Sequence, residues 1–191
     1  MWQQFRPAIT LFALLTLLTG MIYPLLTTGI AQLLFPQQAA GSLLSQQGQL
    51  RGSALIGQSF SEARYFWGRP SATSPMAYNG AASSGSNLGP TNPVLLDGVA
   101  ARIAALKQAH PEQSGAVPLD LVTASASGLD PHISPAAAQY QLNRVAKARG
   151  MSAEQVSALV TQASQGKQWG ILGEATVNVL QLNLALDAAK P

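Results

Sequence analysis

The stretch LFALLTLLTGMIYPLLTTGIAQLL, Leu11–Leu34, decides how this chain is organised. It lies in a longer interval, between Arg6 and Arg51, that contains no charged residue. As an α-helix its 24 residues would extend about 36 Å, against about 30 Å of bilayer hydrocarbon. A small soluble domain has no room to bury such a segment on every side. The expected organisation is a short N-terminal segment (residues 1–8), a transmembrane helix (9–35) and one domain (36–191) on one side of a membrane.

The alternative is a secretory signal whose cleavage releases a periplasmic binding protein or hydrolase. Such signals have an apolar core of about 7–15 residues and small residues at the cleavage site. This run is longer and ends in Leu33-Leu34-Phe35-Pro36-Gln37-Gln38, without an A-x-A-like site. Retention as an anchor is the better reading. Arg6 precedes the segment and no Lys or Arg follows before Arg51. The positive-inside rule then puts the N-terminus in the cytoplasm and the domain outside.

Within the helix, Ala13, Thr16, Gly20 and Thr27 fall on one stripe. Small or hydroxylated residues let helix backbones approach closely in lipid, so the stripe is a candidate packing face; an ordinary monomeric anchor is the alternative. Pro24 lacks an N–H and predicts a kink, a defect that neighbouring helices can cover. No Asp, Glu, Lys, Arg or His lies in the span, so this helix by itself is no ion pathway or proton relay of the usual kind.

Beyond the anchor about 150 residues remain, enough for one domain with a real core. Charged residues are 10% of the chain and the net charge is +3. Arg144, Lys147 and Arg149 form the densest basic group, without interleaved aromatics, which reads as a solvated helix face and argues against nucleic-acid binding. The absence of cysteine excludes a lipoprotein anchor, disulfides and thiolate metal sites.

The domain reads as α+β, single and free of repeats. Two short strands are expected around Gln49–Ile56, and Arg64–Pro70 as a strand or a packed loop. Ser71–Pro90, dense in Ser, Gly, Asn and Pro, is a long loop. Asn92-Pro93 caps a helix carrying Leu95, Val99, Ile103 and Leu106. Val117–Ala124 looks like a strand. Ser134-Pro135 opens a second helix, ended by Gly150, and Ser152–Gln155 is a capping box with Met151 and Val156 as a staple. From about Asn178 the chain reads as a helix, with a strand as the alternative because Leu180, Leu182, Leu184 and Leu186 alternate.

Catalytic signatures are weak. There is no phosphate-binding loop, and Gly85–Gly89 (GSNLG) fails the nucleophile-elbow spacing. Ser164–Lys167 matches Ser-x-x-Lys, a pattern common by chance. Asp130 and His132 with Ser125, Ser127 or Ser134 supply a triad's residue types, but a turn followed by a helix cap explains them better. His110 and His132, the two imidazoles, lack metal-ligand spacing. No catalytic residue, no metal ligand and no cofactor of its own is therefore expected. Tyr65, Phe66, Trp67 and Tyr78 flank the polar loop and suit either a protein interface or a core. The candidate partner-facing positions are Tyr78, Ser86, Asn87, Asn92, Asp130 and His132.

Taken in order, the motifs form a series. They are Arg6-Pro7, Tyr23–Thr27 (YPLLT), Arg51–Phe60 (RGSALIGQSF), Tyr65–Thr73 (YFWGRPSAT), Gly85–Pro93 (GSNLGPTNP), Val122–Gln139 (VTASASGLDPHISPAAAQ), Arg144–Gly150 (RVAKARG) and Val177–Asp187 (VNVLQLNLALD). Over nearly the whole chain this series resembles the C subunit of the bacterial Kdp potassium-transporting ATPase. The resemblance implies a single-pass inner-membrane protein with a periplasmic domain, in a complex with a channel-like, potassium-binding A subunit, a P-type ATPase B subunit and a small F subunit. ATP and potassium would be handled by that complex, and the phosphorylated aspartate would sit on the B subunit. The family is described as a catalytic chaperone that raises the ATP affinity of the B subunit. The charge-based topology favours assembly and stabilisation instead, because a domain outside the membrane cannot reach cytoplasmic ATP.

Overall fold

A computed structural model describes residues 2–189. The chain divides into two compact units, with the boundary between residues 44 and 45.

The first unit is dominated by one apolar helical rod, Trp2–Leu34, 33 residues long and without a buried residue. It comprises α1 (Trp2–Leu17), a π-helical turn (Leu18–Ile22) and α2 (Tyr23–Leu34), followed by the short α3 (Pro36–Ala39). At Pro24, where a kink was expected, the helix widens just before the proline. The Tyr23 N–H donates to the Leu18 carbonyl, five residues back, while Ile22 (φ −64°) and Tyr23 (φ −62°) keep right-handed helical angles. A wide turn absorbs the missing proline donor without ending the helix. The hydroxyls of Thr19 and Thr27 donate to the carbonyls of Leu15 (2.7 Å) and Tyr23 (2.6 Å), so neither needs an external partner in lipid.

The boundary falls in β1 (Leu43–Gln46), which pairs with β2 (Gln49–Ser53). The second unit contains α4 (Pro93–Ala109), β3 (His132–Ile133), α5 (Pro135–Arg149), α6 (Ala153–Gln162), β4 (Ser164–Gln165), β5 (Thr176–Asn178) and α7 (Val179–Ala189). Its sheet is antiparallel in the order β3–β5–β4, with Ile133 opposite Val177 and Ser164 also opposite Val177. The architecture is α+β, as expected.

Helix ends follow the local chemistry. Asn92 accepts from the Val94 N–H, Ser134 from Ala137, and Ser152 and Gln155 close their capping box. Gly150 ends α5 at φ +64°, a left-handed position that costs a side chain steric energy. Along α5, Ala137, Ala138, Gln141, Leu142 and Val145 share one buried face, and they meet Ile133, Val156, Val177, Leu182 and Leu186 in the core.

Two expectations change. Val117–Ala124 is not a strand: Leu119–Leu121 is a 3₁₀ turn. Adjacent Leu121 and Val122 are both buried, which strand alternation forbids, and the Asp120 carboxylate turns to accept from the Ser134 N–H (2.7 Å). The N-terminal hairpin strands are Leu43–Gln46 and Gln49–Ser53, so the pairing begins earlier and stops before Ile56. After β5 the C-terminal Leu series is helical, as expected, and the strand alternative falls away. Val179, Leu180, Leu182, Asn183 and Leu186 are buried, a helical rather than alternating spacing.

Candidate functional site

Residues 64–79 form an irregular segment whose order comes from side chains. Neither strand nor helix supplies partners for Phe66 and Trp67, so two amides do. Asn183 on α7 accepts from the Phe66 N–H (2.9 Å) and donates to its carbonyl (3.0 Å). Gln141 on α5 does the same for Trp67, at 2.8 and 3.0 Å. Each amide mimics one rung of a strand ladder. Phe66 itself is fully buried, which places it in the core.

Beside this clamp, Arg144 lies 4.2 Å from the Trp67 ring centroid and donates to Gln141, to the Tyr65 carbonyl (3.0 Å) and to Ala63. Its Nε–H donates to His110 Nε2 (2.8 Å), while His110 Nδ1 donates to the Leu106 carbonyl (2.7 Å). Burial holds the His110 pKa below its ordinary value and the Arg144 charge adds to that, the Leu106 contact opposing. Burial brings Arg144 down to about 10, still protonated at neutral pH. Arg149 is similarly engaged, meeting Asp187 at 2.7 Å with its side chain 7% exposed. Lys147 alone of the three basic residues keeps a solvated position. The expected solvated face is thus corrected for Arg144 and Arg149, whose guanidiniums hold loop carbonyls that lack strand partners.

The second polar cluster gathers the conspicuous loop motifs. Arg69 meets Asp130 at 3.1 Å and donates to the Ala124 carbonyl (3.3 Å). The His132 N–H donates to Asp130 (3.0 Å) and its Nδ1 lies 3.5 Å from the same carboxylate. Burial would raise the Asp130 pKa, but the His132 contacts and the Arg69 charge outweigh it and hold the pKa below the usual value. Ser71 donates to the Gly128 carbonyl (2.7 Å) and accepts from the Tyr78 N–H (2.9 Å). The Tyr78 hydroxyl donates to the Arg69 carbonyl (2.5 Å); burial and the nearby Asp130 raise its pKa to about 12. Gly57 leaves room for this ring: a Cβ there would collide with it and lie 2.8 Å from the Asp130 carbonyl.

Of the six positions singled out for partners, the structure brings Tyr78, Asp130 and His132 into this cluster and makes Asn92 a helix cap. Ser86 and Asn87 stand exposed, Asn87 at φ +53°. The triad serines are occupied by the backbone. Ser125 accepts from Gly128, Ser127 from Leu129, and Ser134 from Ala137. Likewise Ser164 donates to Val160 and Lys167 pairs with Glu174. On the rod, Ala13, Thr16 and Gly20 line a shallow groove with Phe12, Leu17 and Met21. In the domain Arg69, Asp130, Arg144 and Arg149 are engaged in fixing loop segments.

Gln141, Asn183 and the His110–Arg144 pair were not foreseen as structural elements. The available signal was a polar residue at the centre of an otherwise apolar helical face, as with Gln141 between Tyr140 and Leu142.

The family model for the K+-transporting ATPase, c chain, matches residues 5–188. A relative from Polaromonas naphthalenivorans (strain CJ2), named potassium-transporting ATPase KdpC subunit, is 64% identical over 186 residues, covering 97% of this chain and 95% of that one. Proteins of the same name from Dechloromonas aromatica (strain RCB) and Methylococcus capsulatus (strain ATCC 33009 / NCIMB 11132 / Bath) are 60% and 57% identical. They cover 96% and 100% of this chain and the same shares of their own lengths. The alternative of a released binding protein or hydrolase finds no support in these matches.

Proposed function

The chain belongs to the KdpC family of K+-transporting ATPase subunits, and on that premise we propose that it assembles and stabilises the complex rather than handling ATP. It is an accessory subunit, not the catalytic one. The observation that carries the proposal is the apolar rod Trp2–Leu34, which buries no residue within the chain and is built to find its contacts in lipid and in other subunits.

In this reading the N-terminus is cytoplasmic and the domain periplasmic, because Arg6 is the only basic residue near the span. The stripe Ala13, Thr16, Gly20 and Thr27 packs beside the channel-like A subunit, with the π turn before Pro24 setting the helix face. The domain caps the A subunit on the side where potassium arrives, with Ser86 and Asn87 at the contact. The B subunit, which carries the phosphorylated aspartate, and the small F subunit complete the complex. A domain on that side does not touch cytoplasmic ATP, so any effect on ATP affinity passes through the other subunits.

Deletion of residues 1–35, with export of the domain preserved by a cleavable signal, tests the proposal. The partner subunits should fail to co-purify with the truncated chain. Isolation of an intact, active complex from that strain would refute the role of the helix in assembly.

A further inference from the structure

The most exposed aromatic of the second unit sits on a small closed hairpin between β4 and β5. There Trp169 is 87% exposed, Ile171 78% and Leu172 49%. Leu172 bridges back to Gln168, whose N–H donates to the Leu172 carbonyl (2.8 Å). The N–H groups of Ile171 and Leu172 donate to the Gln168 carbonyl (3.2 and 3.0 Å), and Gly170 donates to Lys167 (3.1 Å). Trp169 holds a left-handed backbone angle, φ +52°, which is costly for a bulky residue. The turn therefore displays its apolar side chains while pairing the donors of Gln168, Gly170, Ile171 and Leu172 within itself.

We infer that the Trp169–Leu172 tip inserts into the headgroup layer of a lipid bilayer and acts as a second, shallow membrane contact for the domain. Three features select lipid. First, backbone groups entering an apolar medium must be paired internally, and the donors of Gln168, Gly170, Ile171 and Leu172 are. Second, the two charges at the hairpin base, Lys167 and Glu174, face each other at 3.3 Å, so the tip carries no net charge to steer a charged protein partner. Third, ten residues of chain, 35–44, separate the apolar rod from the domain, so a bilayer holding the rod stays at high local concentration for the tip. Trp is the side chain favoured at that depth, with aliphatic neighbours beneath it. The third feature rests on membrane anchorage of the rod. The first two do not.

The chain contains no cysteine, so single labels are unambiguous. Ile171→Cys carrying an environment-sensitive fluorophore is reconstituted as the full chain in phosphatidylcholine vesicles, with Phe12→Cys labelled in parallel. The expected result is a blue-shifted signal at position 171, quenched at least two-fold more by lipids brominated near the headgroup than by lipids brominated near the chain ends. Adding phosphatidylglycerol should leave it unchanged, and a Trp169→Ser substitution should shift it back toward water. A water-like label at 171 beside a lipid-quenched label at 12 would overturn the inference while leaving anchorage intact. A water-like label at 12 would instead refute anchorage. Shielding of position 171 that arises only on co-reconstitution with partner subunits would make the tip a protein contact and would also overturn the inference. Because Ile171 is exposed, the label leaves the core untouched.

Discussion

The rod Trp2–Leu34 and helix α5 place hydrophobicity and burial in opposite relation. The rod is the most apolar segment of the chain and buries no residue over 33 positions. Helix α5 spans 15 residues, includes Gln, Asn, Arg and Lys, and buries seven. The difference lies in how apolar groups are distributed. In α5 they share one face and meet α6, α7 and β5. In the rod they surround the axis, a pattern only lipid or other helices can cover. Burial inside a chain therefore marks the scaffold, and its absence on an apolar helix marks where the environment must supply contacts.

The same substitution in the two regions should separate these roles most sharply. Leu182→Ala, in the core, should cost about 2–5 kcal/mol of domain stability. Leu25→Ala on the rod should change it by less than about 0.5 kcal/mol. Urea titration of the full chain in detergent, followed by near-ultraviolet circular dichroism, reads both. Equal effects would erase the distinction.

Gln141 supports the comparison from the polar side. It lies on the buried face of α5 yet serves a loop, and Gln141→Ala leaves the Trp67 N–H and carbonyl without partners. The expected loss is about 2–3 kcal/mol, with faster proteolysis between residues 60 and 80. If Gln141→Leu matched the wild type, the clamp would be dispensable.

How much of this could be read beforehand depended on the range of the interaction. The apolar rod, the helix caps and the Gly150 stop are written in contiguous residues, because each satisfies backbone groups a few positions away. Val117–Ala124 misled because alternation in a short window ignores Asp120, whose partner, Ser134, is 14 residues further on. The amides of Gln141 and Asn183 act over 74 and 117 residues. The two guanidiniums taken for a solvated face, Arg144 and Arg149, hold carbonyls of residues near 65 that no local pattern could reveal. At the candidate site the residue types were visible, but their use as loop fasteners was not: Tyr78 and Asp130 face each other across 52 positions of chain, and only the fold joins them.

Smaller effects refine the picture. Ser134→Ala removes the α5 cap and should cost about 1 kcal/mol, seen as a lowered urea midpoint. The pH dependence should be shallower still. His110 is held neutral in the folded state, below its free value of 6.5. Its contribution is complete above about pH 6.5 and is lost as the pH falls below that, when the unfolded chain takes up the proton first. Thermal midpoints measured between pH 7.5 and 5 should fall in the wild type and fall less in His110→Gln. An identical slope in the two would assign the dependence elsewhere.

The side of the membrane on which the domain lies tests the account most directly. Ser114→Cys, exposed in the segment after α4 and outside the proposed contact positions, in a chain without other cysteines, can be challenged with a membrane-impermeant maleimide in intact spheroplasts and in inside-out vesicles. Labelling in spheroplasts and protection in inside-out vesicles is the predicted result. Labelling only in inside-out vesicles would contradict it, returning the domain to the compartment that holds ATP.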